Sequence, residues 1–529
     1  DLLGSLLFNW LVAVDDRMQP IPDLVEQVPT LENGGVRFVG SGSDRQVLVS
    51  FALRKNARWS NGDPVTSQDV KFSWELLLNP ASAGAPDLEL KYERVETPDP
   101  YTAVFALHSE RSAREAAARD RSRLGHLAVQ TGPVIDPMCI FGLVNTPVWP
   151  SKVLLPLVDG APRTSPKAAD VLTQSAFSRE PVGSGPFTLR PDRDAGALLF
   201  DARSEYHRGV PRIQSISAIV AKREALAEAV KAGGLDLITD ADARETQLSQ
   251  FPDPGLARVY VVPSSTWELL CLNLDHPILK DKSVRKALYF ALDRKALAEA
   301  SQQPGARPIG GVIPEWSWAY AADVPTYEFS TQKAEELLEA AGWKKDPAGL
   351  RAKNGARLRF TYRSTDAIYR QRISAALREQ WRKVGVELVV EHFPAKLFLD
   401  RATGPLATRS FDIAQISWTG RFDPGADAQY QFHSQSIPAL GNGLVGGNYS
   451  GYSQPDADRL ITAGLSILTV RERARTYQEL QRLLMDDLPV LPLYAPGSVS
   501  IASARLRNLR PPVMASVGEA WNVEEWDLV

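Results

Sequence analysis

The chain has 529 residues, 44% of them hydrophobic and 23% charged, with a formal net charge of −3. That length exceeds one ordinary core and calls for two or three lobes of a globular protein, and the interspersed charges leave no basic stripe for nucleic acid. No run of about 18 apolar residues is present, so nothing reads as a membrane-spanning helix.

Six histidines lie singly, and the two cysteines, Cys139 and Cys271, lack metal-ligand spacing, so no metal and no cofactor is expected. Both cysteines read as small core residues; a disulfide between them is the alternative in an exported chain.

In chain order, "VLVSFALRKNARWS" (47–60) alternates apolar and polar residues as a half-buried strand does, and "NGD" (61–63) follows as a turn. "TSQDVKFSWELLL" (66–78) predicts a helix capped by Thr66 with Asp69 three residues on, and Val70, Trp74 and Leu77 on one face. Residues 79–175 are richer in Pro, Ser, Ala and charge, with one strand, "YTAVFAL" (101–107). "PVGSGPFTL" (181–189) is a turn entering a strand, "SISAIVAK" (215–222) a strand, and "REALAEAVKAGGLDLIT" (223–239) a helix, a glycine stop and a strand.

Beyond 262 long amphipathic helices begin. "DKSVRKALYFALDRKALAEA" (281–300) predicts one continuous helix with Val284, Ala287, Leu288, Ala291 and Leu292 as its apolar stripe. "STQKAEELLEAAGW" (330–343) is a second, capped by Ser330 or Thr331 and ended at Gly342. "LRFTYRS" (358–364) is a strand, 368–393 reads helix, Gly stop, strand, and 471–496 reads helix then apolar strand. Alternating helices and strands make the class α/β in at least two lobes.

Several stretches together resemble the extracytoplasmic solute-binding proteins of family 5, the peptide- and nickel-binding components of ABC importers. "FALRKNARWSNGDPVTSQDVKFSWELLL" is similar to the family's signature region. "PVGSGPF" is similar to its Val-Gly-Thr-Gly-Pro-Tyr turn, with Ser184 and Phe187 as departures. "LNLDHPILKDKSVRKALYFALDRKAL", "KAEELLEAAGW", "YSGYSQPDADRLI" and "LPVLPLY" resemble further blocks in the right order, so the likeness covers nearly the whole chain. The family pattern usually has a strand-forming segment before "LLGSLLFNWLVAVDDRMQPIPDLVEQVP"; that strand and an export signal, of lipoprotein type in organisms without an outer membrane, are expected to precede this sequence.

The resemblance implies a two-lobed, periplasmic-binding-protein-like clamp with an additional inserted subdomain and a hinge crossed twice. Lobe I would comprise 1–46, 176–262 and 491–529, with the subdomain inserted at 47–175, and lobe II would be 263–490. It also implies capture of a solute, an oligopeptide or peptide-like one by family frequency, and its delivery to the permease and ATPase subunits of an ABC importer. The protein would be an extracytoplasmic, lipid-anchored monomer without catalysis. Alternatives are an anionic solute such as an opine or sugar phosphate, an oligosaccharide, a ligand receptor for signalling, and a carboxylate-type hydrolase. Against an enzyme, Gly183 and Gly185 adjoin Ser184 directly, whereas a nucleophile elbow places its glycines two residues away, and no Walker or Rossmann fingerprint appears.

In peptide-binding members the segment matching "SWTGRFDP" (417–424) faces the ligand, with an Asp that pairs with the peptide's α-amino group. Here Trp418 is kept and the Asp position holds Arg421, unless a one-residue gap shifts the match to Asp423. Arg421's planar fork suits a carboxylate or phosphate, whereas Asp423 would keep an amino-group site. The bland readings are a solvent-facing Arg421 or one bracing Asp423, and a turn-opening Asp-Pro. Trp418, Thr419, Gly420, Arg421 and Asp423 are therefore candidate ligand contacts, with Gln415 on the preceding strand. By the same comparison Trp10, Tyr494 and the aromatics Trp316, Trp318 and Tyr320 of "WSWAY" join them, because aromatic planes give contact area at low entropic cost. Trp59, Trp74, Trp521 and Trp526 read as packing.

Overall fold

A computed structural model describes residues 2–79, 92–119, 147–190, 196–219, 223–239, 253, 255–467, 469–513 and 520–529. Cys139 and the end of the expected strand at 220–222 lie outside these. The chain divides into two units, Asp1–Val262 with Val499–Val529, and Pro263–Ser498. One break lies between Val262 and Pro263. The second falls after Ser498 rather than near 490, because strand Val490–Ala495 pairs with Thr266–Leu272 and Arg307–Pro308 inside the second unit.

The first unit is built of small antiparallel sheets. One runs in the order Val36–Val39, Gln46–Ala52, Thr102–Leu107, Tyr92–Asp99. A subdomain boundary at 46/47 would cut it, since Val36 pairs with Val49. The expected strand over 47–60 ends at Ala52. Helix Ser67–Leu77 begins as anticipated: the Thr66 backbone N–H donates to Asp69 Oδ2 at 2.8 Å, and Val70 and Trp74 are buried. Leu76 is buried on that helix while Leu77 is only half-buried. The turn at 181–187 serves the N-terminal segment. The Asn9 backbone N–H donates to the buried Ser184 Oγ at 3.0 Å, and a Cβ at Gly183 would lie 2.0 Å from the Leu7 carbonyl oxygen. Ser184 is thus a structural acceptor, and only glycine lets the two backbones approach so closely.

The second unit is organised on a six-stranded sheet in the order Arg307–Pro308, Val490–Ala495, Thr266–Leu272, Ile413–Thr419, Arg359–Thr365, Glu387–Phe393. Arg359–Thr365 runs parallel to both its neighbours, and helix Ile368–Lys383 makes the crossover to Glu387–Phe393. The expected single helix over 281–300 is two, Lys282–Phe290 and Arg294–Ser301. Asp293 breaks it: its carboxylate accepts from the Ala296 N–H at 2.9 Å and so caps a new helix. The apolar stripe survives the break, with Val284, Ala287, Leu288, Ala291 and Leu292 all fully buried. Helix Thr331–Ala340 is capped by Ser330, which accepts from Lys333 N at 3.2 Å. Cys271 is a free, buried thiol on the central strand, and burial pushes its pKa up to about 12. Trp59, Trp74, Trp521 and Trp526 are buried as expected.

Candidate functional site

Strand Ile413–Thr419 lies beside Thr266–Leu272 with Trp418 opposite Trp267 and Ser417 opposite Glu268. Adjacent residues of a strand face opposite sides of a sheet, so the pairing sorts two environments. The Thr266 and Thr419 hydroxyls meet at 2.8 Å, and the Gly420 N–H donates to the Ser265 carbonyl at 2.8 Å, extending the pairing past the strand end. Helix Pro424–Phe432 then starts with Asp423 as its cap, accepting from Gly425 N at 2.7 Å, and Pro424 in its first turn.

On one side of that corner is an open recess whose walls include Trp267, Trp316, Gly420, Arg421, Asp427 and Gln431. Gly420 makes it possible: a Cβ there would sit 2.7 Å from Trp267 Cζ3 and 3.4 Å from Trp316 Cη2. The indole Nε1 atoms of Trp267 and Trp316 are buried and have no hydrogen-bond acceptor among the described residues. Arg421 stands at the rim with its side chain 55% exposed, its Nε 3.5 Å from Asp427 Oδ1, while its backbone N–H donates to Asp427 Oδ2 at 2.8 Å. Asp427 is 7% exposed, and burial pushes its pKa up to about 7. Arg421 and Trp418 pull the other way, and the charge of Asp423 adds to the push.

Of the anticipated contacts, Trp316, Gly420 and Arg421 come together in this recess. Arg421 braces Asp427, not Asp423. Trp418 and Thr419 are on the adjoining strand end, and the Trp418 ring lies 5.8 Å from that of Tyr430. Trp318 supports the loop from behind: its Nε1 donates to the Phe422 carbonyl at 2.9 Å, and its ring lies 6.2 Å from Tyr477. Tyr320 is half-buried, and its carbonyl accepts from Gln478 Nε2 at 3.0 Å.

Three other candidates sit in structural bonds. Asp423, 2% exposed, takes a 2.7 Å ion pair from the fully buried Arg473, so its carboxylate holds a helix start to a neighbouring helix. Gln415 is buried, accepting from Tyr362 Oη at 2.6 Å and donating to Glu268 Oε2 at 2.7 Å. Tyr494 is buried and donates to Gln303 Oε1 at 2.9 Å. Trp10 is in the first unit, where its backbone N–H donates to Asp23 Oδ2 at 2.9 Å beside Asn9, His207 and Arg208. Burial works to raise the Asp23 pKa, but His207, Arg208 and the Trp10 N–H outweigh it and hold the carboxyl below its usual range.

Trp267, Asp427 and Gln431 of the recess were not anticipated. A tryptophan next to a glutamate in the apolar run "TWELLCL" (266–272) was the signal for Trp267, and an acid four residues after Asp423 was the signal for Asp427. Among the described residues no cluster of His, Cys, Asp and Glu is placed to hold a metal ion, and no helix is long and apolar enough to cross a membrane.

Two units and a six-stranded mixed sheet flanked by helices make the fold class α/β. The model of the bacterial extracellular solute-binding proteins, family 5, matches residues 22–438, and the chain belongs to that family. The oligopeptide-binding protein AppA of Bacillus subtilis is 24% identical over 99% of this chain and 86% of its own length. Its solved structure with a nonapeptide matches with a TM-score of 0.64 at 21% identity, covering 100% of this chain and 94% of that one. NikZ of Campylobacter jejuni, solved with Ni(L-His), matches at TM-score 0.68 and 21% identity over 100% and 95%. These likenesses establish the shared fold.

Proposed function

We propose that this protein captures a peptide or peptide-like solute outside the cytoplasmic membrane and delivers it to the permease of an ABC importer whose ATPase is a separate chain. The observation that carries the reading is the recess of the second unit. Aromatic walls, two buried indole N–H groups without acceptors among the described residues and a half-exposed guanidinium are gathered at one strand end. Apolar planes with a few directed polar groups are what a small-molecule site requires. The reading is supported by family membership and by relatives named for oligopeptides, D,D-dipeptides and murein peptides. No catalytic step is assigned to the recess.

The test is thermal unfolding of protein that has been unfolded and refolded to strip carried-over solute, with and without a pool of short peptides. A ligand at a hundredfold excess over its Kd adds about 2.7 kcal/mol, visible as a raised midpoint. An unmoved midpoint with every peptide length sinks the peptide reading. Co-purification with permease subunits separates import from a signalling receptor: recovery of a membrane sensor without permease would overturn delivery.

A further inference from the structure

We propose that the recess of the second unit receives the carboxylate end of its solute, with Arg421 and the indole N–H groups of Trp267 and Trp316 as donors; this rests on the solute-capture reading above. The argument is a count of donors against acceptors. Trp267 is 3% exposed, and its Nε1, like that of Trp316, finds no acceptor among the described residues. Buried donors are nearly always paired, and both of these indoles are in the recess walls. An incoming oxygen would satisfy them, whereas an ammonium offers only further donors.

Charge points the same way. Arg421 carries a permanent cation at the rim, and its terminal nitrogens make no hydrogen bond among the described residues; its one ionic neighbour is Asp427, at 3.5 Å from Nε. That leaves the fork open for a two-oxygen group. Asp427 is the single carboxylate among the described residues of the wall. One of its oxygens already accepts the Arg421 backbone N–H, and burial pushes its pKa up to about 7. The other nearby acid, Asp423, is tied to Arg473. An ammonium entering here would meet the Arg421 cation, whose one ionic neighbour among the described residues is the half-titrated Asp427, while a carboxylate would meet three donors.

The experiment uses the refolded full chain and one casein hydrolysate of short peptides in three forms: untreated, N-acetylated, and carboxyl-amidated. A fourth pool holds non-peptide carboxylates, opines and sugar acids, and a fifth sugar phosphates. The acetylated pool is expected to raise the unfolding midpoint as the untreated one does, and the amidated pool to leave it unmoved. Arg421→Ala is expected to abolish the shift, and Trp316→Phe, which keeps a ring and removes the N–H, to weaken binding about tenfold. A shift with the amidated pool and none with the acetylated pool overturns the carboxylate assignment and leaves peptide capture standing. A shift with the non-peptide carboxylates alone supports the assignment and overturns peptide capture. Sugar phosphates as the sole binders overturn both the carboxylate and the peptide. Equal binding of all peptide forms, insensitive to Arg421→Ala, also overturns the assignment, and no shift with any pool overturns both readings.

Discussion

Trp267 and Glu268 are neighbours on one strand, yet they face opposite sides of the sheet and meet opposite fates. Glu268 is buried and saturated: Arg370 Nη2 lies 3.2 Å away, Gln415 Nε2 2.7 Å and Tyr369 Oη 3.2 Å, with the Ser417 hydroxyl donating as well. Trp267 is equally buried, and its N–H has no acceptor among the described residues. A buried charge inside a complete set of partners holds a fold together. A buried donor left open beside a recess is the feature on which the carboxylate proposal rests. Gln415 and Trp418, both expected to touch ligand, are parted by the same alternation: Gln415 belongs to the Glu268 network and Trp418 is opposite Trp267.

The hardest way to break this contrast is Glu268→Ala. It leaves the Arg370 guanidinium buried without its counterion and should cost about 3–5 kcal/mol in denaturant unfolding, while the folded fraction keeps its affinity for solute. A loss of affinity with stability intact would erase the distinction between the two faces.

Next in size is the pH response of Asp427. Its folded pKa of about 7 lies above the ordinary carboxyl value, so its stabilising contribution is complete below the unfolded pKa, near 4, and is lost as pH rises through 7. Asp427→Asn removes that dependence. The stability of the parent relative to this variant should fall between pH 4 and 7 by up to about 4 kcal/mol, and parallel curves would refute the burial argument.

Gly420→Ala tests how tightly the recess is built. Its Cβ would arrive 2.7 Å from Trp267 Cζ3, which sets an overpacking cost of about 1–3 kcal/mol together with weaker solute binding. A neutral result would mean that the two indoles have room to move aside. The smallest stability effect belongs to Arg421→Ala. A half-exposed side chain whose nearest carboxylate is 3.5 Å away should change the unliganded midpoint by less than about 0.5 kcal/mol. A larger loss would place Arg421 with the structural pairs.

Periodicity in the sequence determined the α/β class, the Thr66 and Ser330 caps and the apolar stripe of 284–292, since these depend on local spacing alone. Resemblance to the family's blocks, rather than spacing, marked Gly420 and Arg421, and an aromatic run in a stretch without helical or strand period marked Trp316. Tertiary structure decided what each polar residue is for. Asp293 broke a helix that looked continuous because its carboxylate reached Ala296 N. Asp423 was paired with Arg473, fifty positions away. Asp427 and Trp267 entered the recess because two strands distant in the chain pair side by side. A side chain's local pattern says which way it can point; whether it then meets a partner depends on residues that only folding brings near.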